Sequence, residues 1–167
     1  LLLDTTDWIS SLRVSPRGDM VAFAVHPHPS DDQGSVVVLD RSGKTKATSG
    51  YWDSIEGVAW SPSGQEVWFA ASNTGWANEL HALSLSGEQR LLLRLPGITR
   101  LHDISRDGRL LLTKELWKSS MAFGGPGDMA ERDLSWLDLS TVNDLSGDGR
   151  LVVFDEGGQA AFEETDM

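Results

Sequence analysis

Apolar and polar residues follow one another in short runs along this chain, and the same arrangement returns four times. Each return has a short apolar stretch, a polar four-residue turn that starts with Ser, and a second apolar run. The turns begin at Ser15, Ser61, Ser105 and Ser146. Two apolar runs across a tight turn predict a β-hairpin. The spacings of 46, 44 and 41 residues lie in the range of solenoid and propeller repeats.

Glycine marks two turns in the repeats. It closes the serine turns at Gly18, Gly64, Gly108 and Gly149, and it recurs further on at Gly43, Gly87 and Gly127. Glycine tolerates the positive φ that such turns require. Each repeat is therefore predicted to contain four short antiparallel strands, which is the content of one β-propeller blade, so that the chain holds about four blades. Helical periodicity is absent, and a β-sandwich would not require the same turn sequence at a fixed period.

The repeats predict one all-β propeller domain over residues 1–167. The blades lie near 8–50, 51–97, 98–137 and 138–167, and a strand at 1–4 resembles the last strand of a preceding blade. Because an open ring leaves an apolar blade face and strand edges unpaired, we expect closure by a split blade or by a second chain. Bulky residues near the blade faces favour the two-chain ring, and thus a homo-oligomer.

Composition narrows the choice of partner. The 167-residue chain carries 14 basic and 25 acidic residues, for a net charge of −11, and it has no cysteine. This charge disfavours nucleic acid and anionic lipid as partners, and disulfide and thiol chemistry are excluded. No apolar run is long enough to span a bilayer.

Sequence patterns typical of catalysis are missing. There is no G-x-S-x-G motif, and the glycine-rich "GGPG" at 124–127 lacks the lysine of a phosphate loop. Asp103 and Asp144 occupy equivalent repeat positions, which favours a scaffold role as backbone acceptors over acid–base work. His26 and His28 precede two aspartates, but a solvated loop explains them better than a metal site. We expect no enzyme activity, no metal and no cofactor.

Seven tryptophans give the more informative signal. Trp8, Trp52 and Trp136 recur ahead of the repeat serines, which predicts packing between blades, and Trp60 and Trp68 lie in strands. Loops between second and third strands share one end of a propeller with the blade connections. The candidate residues at that end are Trp76, Trp117, His26, His28, Tyr51 and Asp53. Such aromatics with a polar rim suit recognition of a protein or peptide, although they also suit capping of the blade ends.

The string "WSPSGQEVWFAAS" resembles the blade motif of TolB-like, WD-repeat-like propellers, and the other repeats match except at Arg106 and Gly147. "TDWISSLRVSP", "LHDISRDGRLLL" and "ERDLSWLDLS" further resemble the propeller region of bacterial serine/threonine protein kinases. The resemblance implies a non-catalytic interaction or sensor module of a signalling protein, since no kinase motif is present. A self-assembling half-propeller and the gating propeller of a peptidase remain alternatives.

Overall fold

The computed structural model describes residues 3–74, 78–95, 97–115, 117–127 and 130–157. Within these ranges the chain forms β-strands and turns, and no helix is present. The chain contains two compact units. We call Leu1–Glu115 unit 1 and Leu116–Met167 unit 2.

Two complete four-stranded sheets lie in unit 1, as the first two repeats predict. Blade 1 contains β1 (Trp8–Val14), β2 (Met20–His26), β3 (Ser35–Asp40) and β4 (Thr45–Thr48). Blade 2 contains β5 (Ser54–Trp60), β6 (Glu66–Ser72), β7 (Glu79–Ser84) and β8 (Gln89–Arg94). Each sheet is antiparallel and its strands follow chain order. The predicted blade architecture is therefore confirmed for both repeats.

The third and fourth repeats form two-stranded sheets among the described residues. Unit 1 ends with β9 (Ile98–Ile104) paired to β10 (Leu110–Glu115). Unit 2 contains β11 (Ala122–Phe123) paired to β12 (Arg132–Asp133), and β13 (Leu139–Leu145) paired to β14 (Val152–Gly157). Of the strand expected at 1–4, Leu3 and Asp4 are not in a strand. Leu1, Leu2 and the last strand expected near 160–164 lie outside the described residues.

The same backbone hydrogen bond closes each of the four serine turns. In each turn the glycine N–H donates to the serine carbonyl, at 2.8 Å for Gly18 and Gly149 and at 2.9 Å for Gly64 and Gly108. The four glycines have φ between +69° and +84°, where a side chain would be strained. The serine hydroxyl also accepts backbone N–H groups inside the turn, as Ser15 does from Met20 at 3.0 Å. The repeated sequence thus encodes a repeated turn.

A β-bulge also recurs, and the sequence did not predict it. The first strand of every repeat shifts register against its neighbour three or four residues before the serine turn. In β5 the bulge contains Gly57 at φ +102°, and a Cβ there would lie 2.0 Å from the Leu101 carbonyl oxygen of β9. In β1 it contains Ser11 at φ +55°. Bulges bend and twist the strand, and at Gly57 the bulge brings β5 into close contact with β9.

The core lies on the two faces of blade 2. Ala22, Ala24, Val36 and Val38 of blade 1 meet Val58, Val67 and Phe69 of blade 2 in one buried cluster. Ala59, Ala70 and Leu80 meet Leu101 and Ile104 of β9 in another. Because both faces of blade 2 are covered, β5–β7 are buried at most positions, and buried and exposed residues do not alternate along them. Trp60, expected in the core, is buried, and its Nε1–H donates to the Arg13 carbonyl of blade 1 at 3.1 Å.

Candidate functional site

One end of unit 1 gathers the loops that follow β2 and β6 and the connection from β4 to β5. Gly34 and Trp52 exchange two backbone hydrogen bonds, of 2.9 and 2.8 Å. The Asp53 N–H donates to Asn73 Oδ1 at 3.1 Å. We call this end of unit 1 the loop face, and the opposite end, with the serine turns, the turn face. The repeat predicted that these loops would share one end, and in unit 1 they do.

His26 is a buried anchor of the loop face and not an exposed contact residue. Only 3% of the residue is exposed. Its Nδ1 lies 3.0 Å from the Gln33 carbonyl oxygen, and its Nε2 lies 2.7 Å from Ser10 Oγ. Because a carbonyl oxygen can only accept, Nδ1 donates to the Gln33 carbonyl, while Nε2 hydrogen-bonds to the Ser10 hydroxyl. The expected exposure of His26 is therefore wrong: its ring ties the loop at 27–34 to β1 and β2.

Three other predicted residues do lie exposed on the loop face: His28, Tyr51 and Asp53. Tyr51 is 54% exposed, and its hydroxyl donates to Gln33 Oε1 at 3.0 Å. Since the Gln33 carbonyl also binds His26, the Tyr51 ring is coupled to the anchored loop. Asp53 is held through its backbone, so its carboxylate is presented to solvent.

The remaining two candidates lie outside the described part of unit 1. Trp76 lies outside the described residues. Trp117 is exposed and belongs to unit 2. Asp103 and Asp144 each accept the next residue's backbone N–H at 2.8 Å, so both are local backbone acceptors, within one strand and not between blades.

Trp8 is a surface residue, which its recurrence in the sequence did not predict. Trp8 begins β1 and pairs with His26, which places it at the loop-face end, and it is 55% exposed. Recurrence with Trp52 and Trp136 predicted packing for all three, but Trp136 in unit 2 is exposed as well. Trp52 packs on Phe69 and His81 of blade 2, whereas the exposed Trp136 contacts Phe154 of β14, with 6.1 Å between ring centroids. The place of Trp8 in the first repeat could have indicated its exposure, because no described sheet precedes that repeat.

Trp52 covers the interface between blades 1 and 2. Its ring centroid lies 5.8 Å from that of Phe69 and 4.4 Å from that of His81. Its Nε1 and His81 Nε2 are buried without a hydrogen-bond partner among the described residues. His81 Nε2 lies 3.4 Å from Glu79 Oε2, close enough for an ion pair once protonated. Burial lowers the pKa of His81 and the nearby Glu79 carboxylate opposes this only in part, so the ring is neutral at pH 7.

Carboxylates outnumber cations around the start of β5. Glu56 is buried, and its Oε2 accepts from Arg100 at 2.9 and 2.8 Å. Burial raises the pKa of Glu56; Arg100 opposes the rise, whereas the nearby Asp32 and Glu115 carboxylates add to it. Asp32 and Glu115 thus add negative charge around the Glu56–Arg100 pair. The loop face carries local negative charge.

The described residues contain no group of three or more His, Asp or Glu placed to hold a metal ion. Among the same residues, no helix is long and apolar enough to cross a membrane.

Solved structures with this arrangement of strands include TolB from Acinetobacter baumannii. The likeness covers 92% of this chain and 39% of that chain, at 19% identity and a TM-score of 0.54. Apo prolyl oligopeptidase B from Galerina marginata is similar over 89% of this chain and 25% of that chain, at 14% identity and a TM-score of 0.51. The form of that enzyme bound to a 25mer macrocyclization substrate gives 0.52 with the same identity and coverage. The fold is a TolB-like β-propeller fold.

These likenesses, all below 20% identity, show the fold alone. This chain spans about two fifths of the length of TolB and a quarter of that of the oligopeptidase. No protein-family model matches the chain, and no curated protein sequence matches it.

Proposed function

We propose that this chain is a non-catalytic propeller module that binds a protein or peptide through the loop face of unit 1. The observation that carries the proposal is the pair of large exposed aromatic side chains, Trp8 and Tyr51, at the end of the unit where His26 anchors the loops. Trp and Tyr supply large contact areas at a small cost in side-chain entropy and dominate the energetics of many interfaces.

Preorganisation supports this assignment. The loop at 27–34 is bonded to β1 through His26, to Tyr51 through Gln33, and to the blade connection through the Gly34–Trp52 pair. A surface that is already ordered loses less conformational entropy when it binds. The loop face is therefore a better candidate for recognition than the exposed apolar residues on the strands.

The biological setting is part of the proposal. The sequence resemblance to the propeller region of bacterial serine/threonine protein kinases supports a place in a signalling protein, as the part that recognises and not the part that reacts. The likeness to prolyl oligopeptidase B concerns the fold alone, so a peptidase-gating role stays a prediction.

The test is selection of peptides from a random displayed library on the purified chain, followed by anisotropy titration of one selected peptide. Trp8→Ala and Tyr51→Ala should each weaken binding by about tenfold or more, as central aromatic contacts do. Val14→Ala is the matched control, because Val14 is also exposed on β1 but lies at its turn-face end. It should change the affinity by less than about twofold. Unchanged affinity in both aromatic variants, or no selected peptide, would reject the proposal.

Self-assembly is a second candidate, and exposed apolar residues on β1 favour it. Ile9, Leu12 and Val14 are all exposed on this first strand of blade 1, where a neighbouring blade would cover them. A second copy as that neighbour predicts a solution mass of twice 18.2 kDa, and Leu12→Asp should halve it. A mass of 18.2 kDa across a concentration series would exclude this candidate.

A further inference from the structure

We propose that the loop-face partner presents arginine or lysine side chains, so that the occupant is a cationic extended peptide segment. This inference rests on the proposed function and specifies the chemistry of its ligand. It follows from three features of unit 1: uncompensated carboxylates on the loop face, compensated carboxylates on the turn face, and aromatic rings exposed beside the former.

Asp31, Asp32 and Asp53 supply negative charge that pairs with no cation among the described residues, although Asp31 Oδ1 accepts a local hydrogen bond from the Gln33 N–H at 3.0 Å. All three belong to the loops that meet at the loop face, and Asp32 and Asp53 are exposed. Among the described residues, no Lys, Arg or His lies within ion-pair distance of any of the three. Arg100 is engaged by Glu56, and the negative charge of Asp32 adds to the rise in the pKa of Glu56 that burial causes. A partner cation is therefore attracted to this end.

The turn face differs in that each of its three carboxylates has a cation nearby. Asp107 pairs with Arg109 at 3.1 Å. Asp19 accepts from the Ser15 hydroxyl at 2.7 Å, and its pKa is lowered by that bond and, to a smaller extent, by Arg17 and Arg41. Asp40 accepts from Ser42 at 2.6 Å, and Lys46 helps to lower its pKa. Because these charges are already balanced locally, the turn face attracts a partner's cation more weakly than the loop face does.

The exposed rings complete the chemistry. An arginine or lysine side chain gains both from carboxylate oxygens and from the face of an indole or phenol ring. Trp8 and Tyr51 present such rings at the end that carries the three aspartates. An acidic partner would be repelled, and a neutral apolar partner would leave the aspartates desolvated and unpaired. Cationic side chains satisfy both groups.

The experiment uses fluorescein-labelled deca-arginine as the probe, with deca-glutamate and a Gly-Ser decapeptide as comparisons. A loop-face triple variant carries Asp31→Asn, Asp32→Asn and Asp53→Asn. A matched triple variant carries Asp19→Asn, Asp40→Asn and Asp107→Asn on the turn face. Both remove three negative charges, and asparagine keeps the oxygen that accepts the local hydrogen bonds. Circular dichroism and thermal melting verify that both variants fold.

We expect deca-arginine to bind the wild-type chain, the loop-face triple to weaken binding by about tenfold at ~0.1 M salt, and the turn-face triple to weaken it by less than about twofold. Equal weakening by the two triples would mean that only net charge attracts the probe, and would overturn the proposal. Deca-arginine binding no tighter than the Gly-Ser peptide would overturn it too.

The proposed function can survive the failure of this inference. A library peptide that loses affinity in Trp8→Ala and Tyr51→Ala but contains no arginine or lysine leaves the loop face as a binding surface and rejects the cationic partner. If no peptide of any charge depends on Trp8 or Tyr51, the binding function itself is rejected.

Discussion

At the scale of single residues, neighbours that look alike in the sequence have different roles. His26 and His28 are two positions apart in "VHPHP", and the sequence offered the same interpretation for both. The structure buries His26 between Ser10 and Gln33 and leaves His28 exposed. The difference arises because β2 ends at His26. The sheet therefore fixes the position of His26, whereas His28 lies beyond the strand.

His26→Ala should lower the free energy of unfolding by about 2–3 kcal/mol, because it removes two part-buried hydrogen bonds and leaves the Gln33 carbonyl without its partner. His28→Ala, the control, should change it by less than about 0.5 kcal/mol. Urea titration followed by tryptophan fluorescence measures both values. Equal effects of the two substitutions would contradict the anchoring role of His26.

Gly57→Ala should destabilise the chain by about 2–4 kcal/mol or prevent folding. Gly57 combines a positive φ with a Cβ position 2.0 Å from backbone of β9, so neither rotation nor a side-chain shift relieves the clash. Gly147→Ala is the comparison, since open space surrounds that position and its φ is not positive. It should alter stability by less than about 0.5 kcal/mol. A well-folded Gly57→Ala variant with unchanged melting temperature would contradict the close contact.

At the scale of elements, the sequence predicted strands and turns well and their irregularities poorly. The Ser-to-Gly turns could be recognised because glycine at positive φ leaves a compositional mark. The recurrent bulge could not, because Ser11, Gly57, His102 and Asn143 share no side-chain property. What they share is their position in the first strand of a repeat, where the pairing with the second strand shifts register. That shift is visible only in the folded sheets.

The interface between blades 1 and 2 should respond to pH through His81. Its pKa is lowered from the ordinary 6.5 by burial, so the unfolded chain takes up a proton at a higher pH than the folded chain does. The stabilisation is complete above pH 6.5 and is lost as the pH falls through the lowered value. Melting temperature measured from pH 7.5 to 5 should therefore decrease.

His81→Phe supplies the control for this pH dependence, since it keeps a ring beside Trp52 and cannot titrate. Its melting temperature should change less over the same range. The pH range stops at 5 because carboxylates whose pKa is lowered in the folded chain, such as Glu66, also change the stability at lower pH. Equal pH profiles for wild type and His81→Phe would exclude His81 as the cause.

At the scale of the molecule, the repeat period was sufficient to predict the fold, whereas the binding site depended on details that no period encodes. Blades 1 and 2 follow from turn spacing and apolar runs alone. Exposure of Trp8 depends on which faces are covered, and the ring closure expected from the strand count concerns residues or copies beyond those described. Charge compensation on one face and its lack on the other also emerge only once the loops are assembled.

The most direct test of the account is amide chemical-shift mapping of the ¹⁵N-labelled chain with a peptide selected from the library. The account predicts that the largest shifts fall on the loop face, at the loop 27–34, the connection 49–53 and the indole of Trp8, with little change at the serine turns. Shifts concentrated at the serine turns, or on β1 away from Trp8, would contradict loop-face recognition.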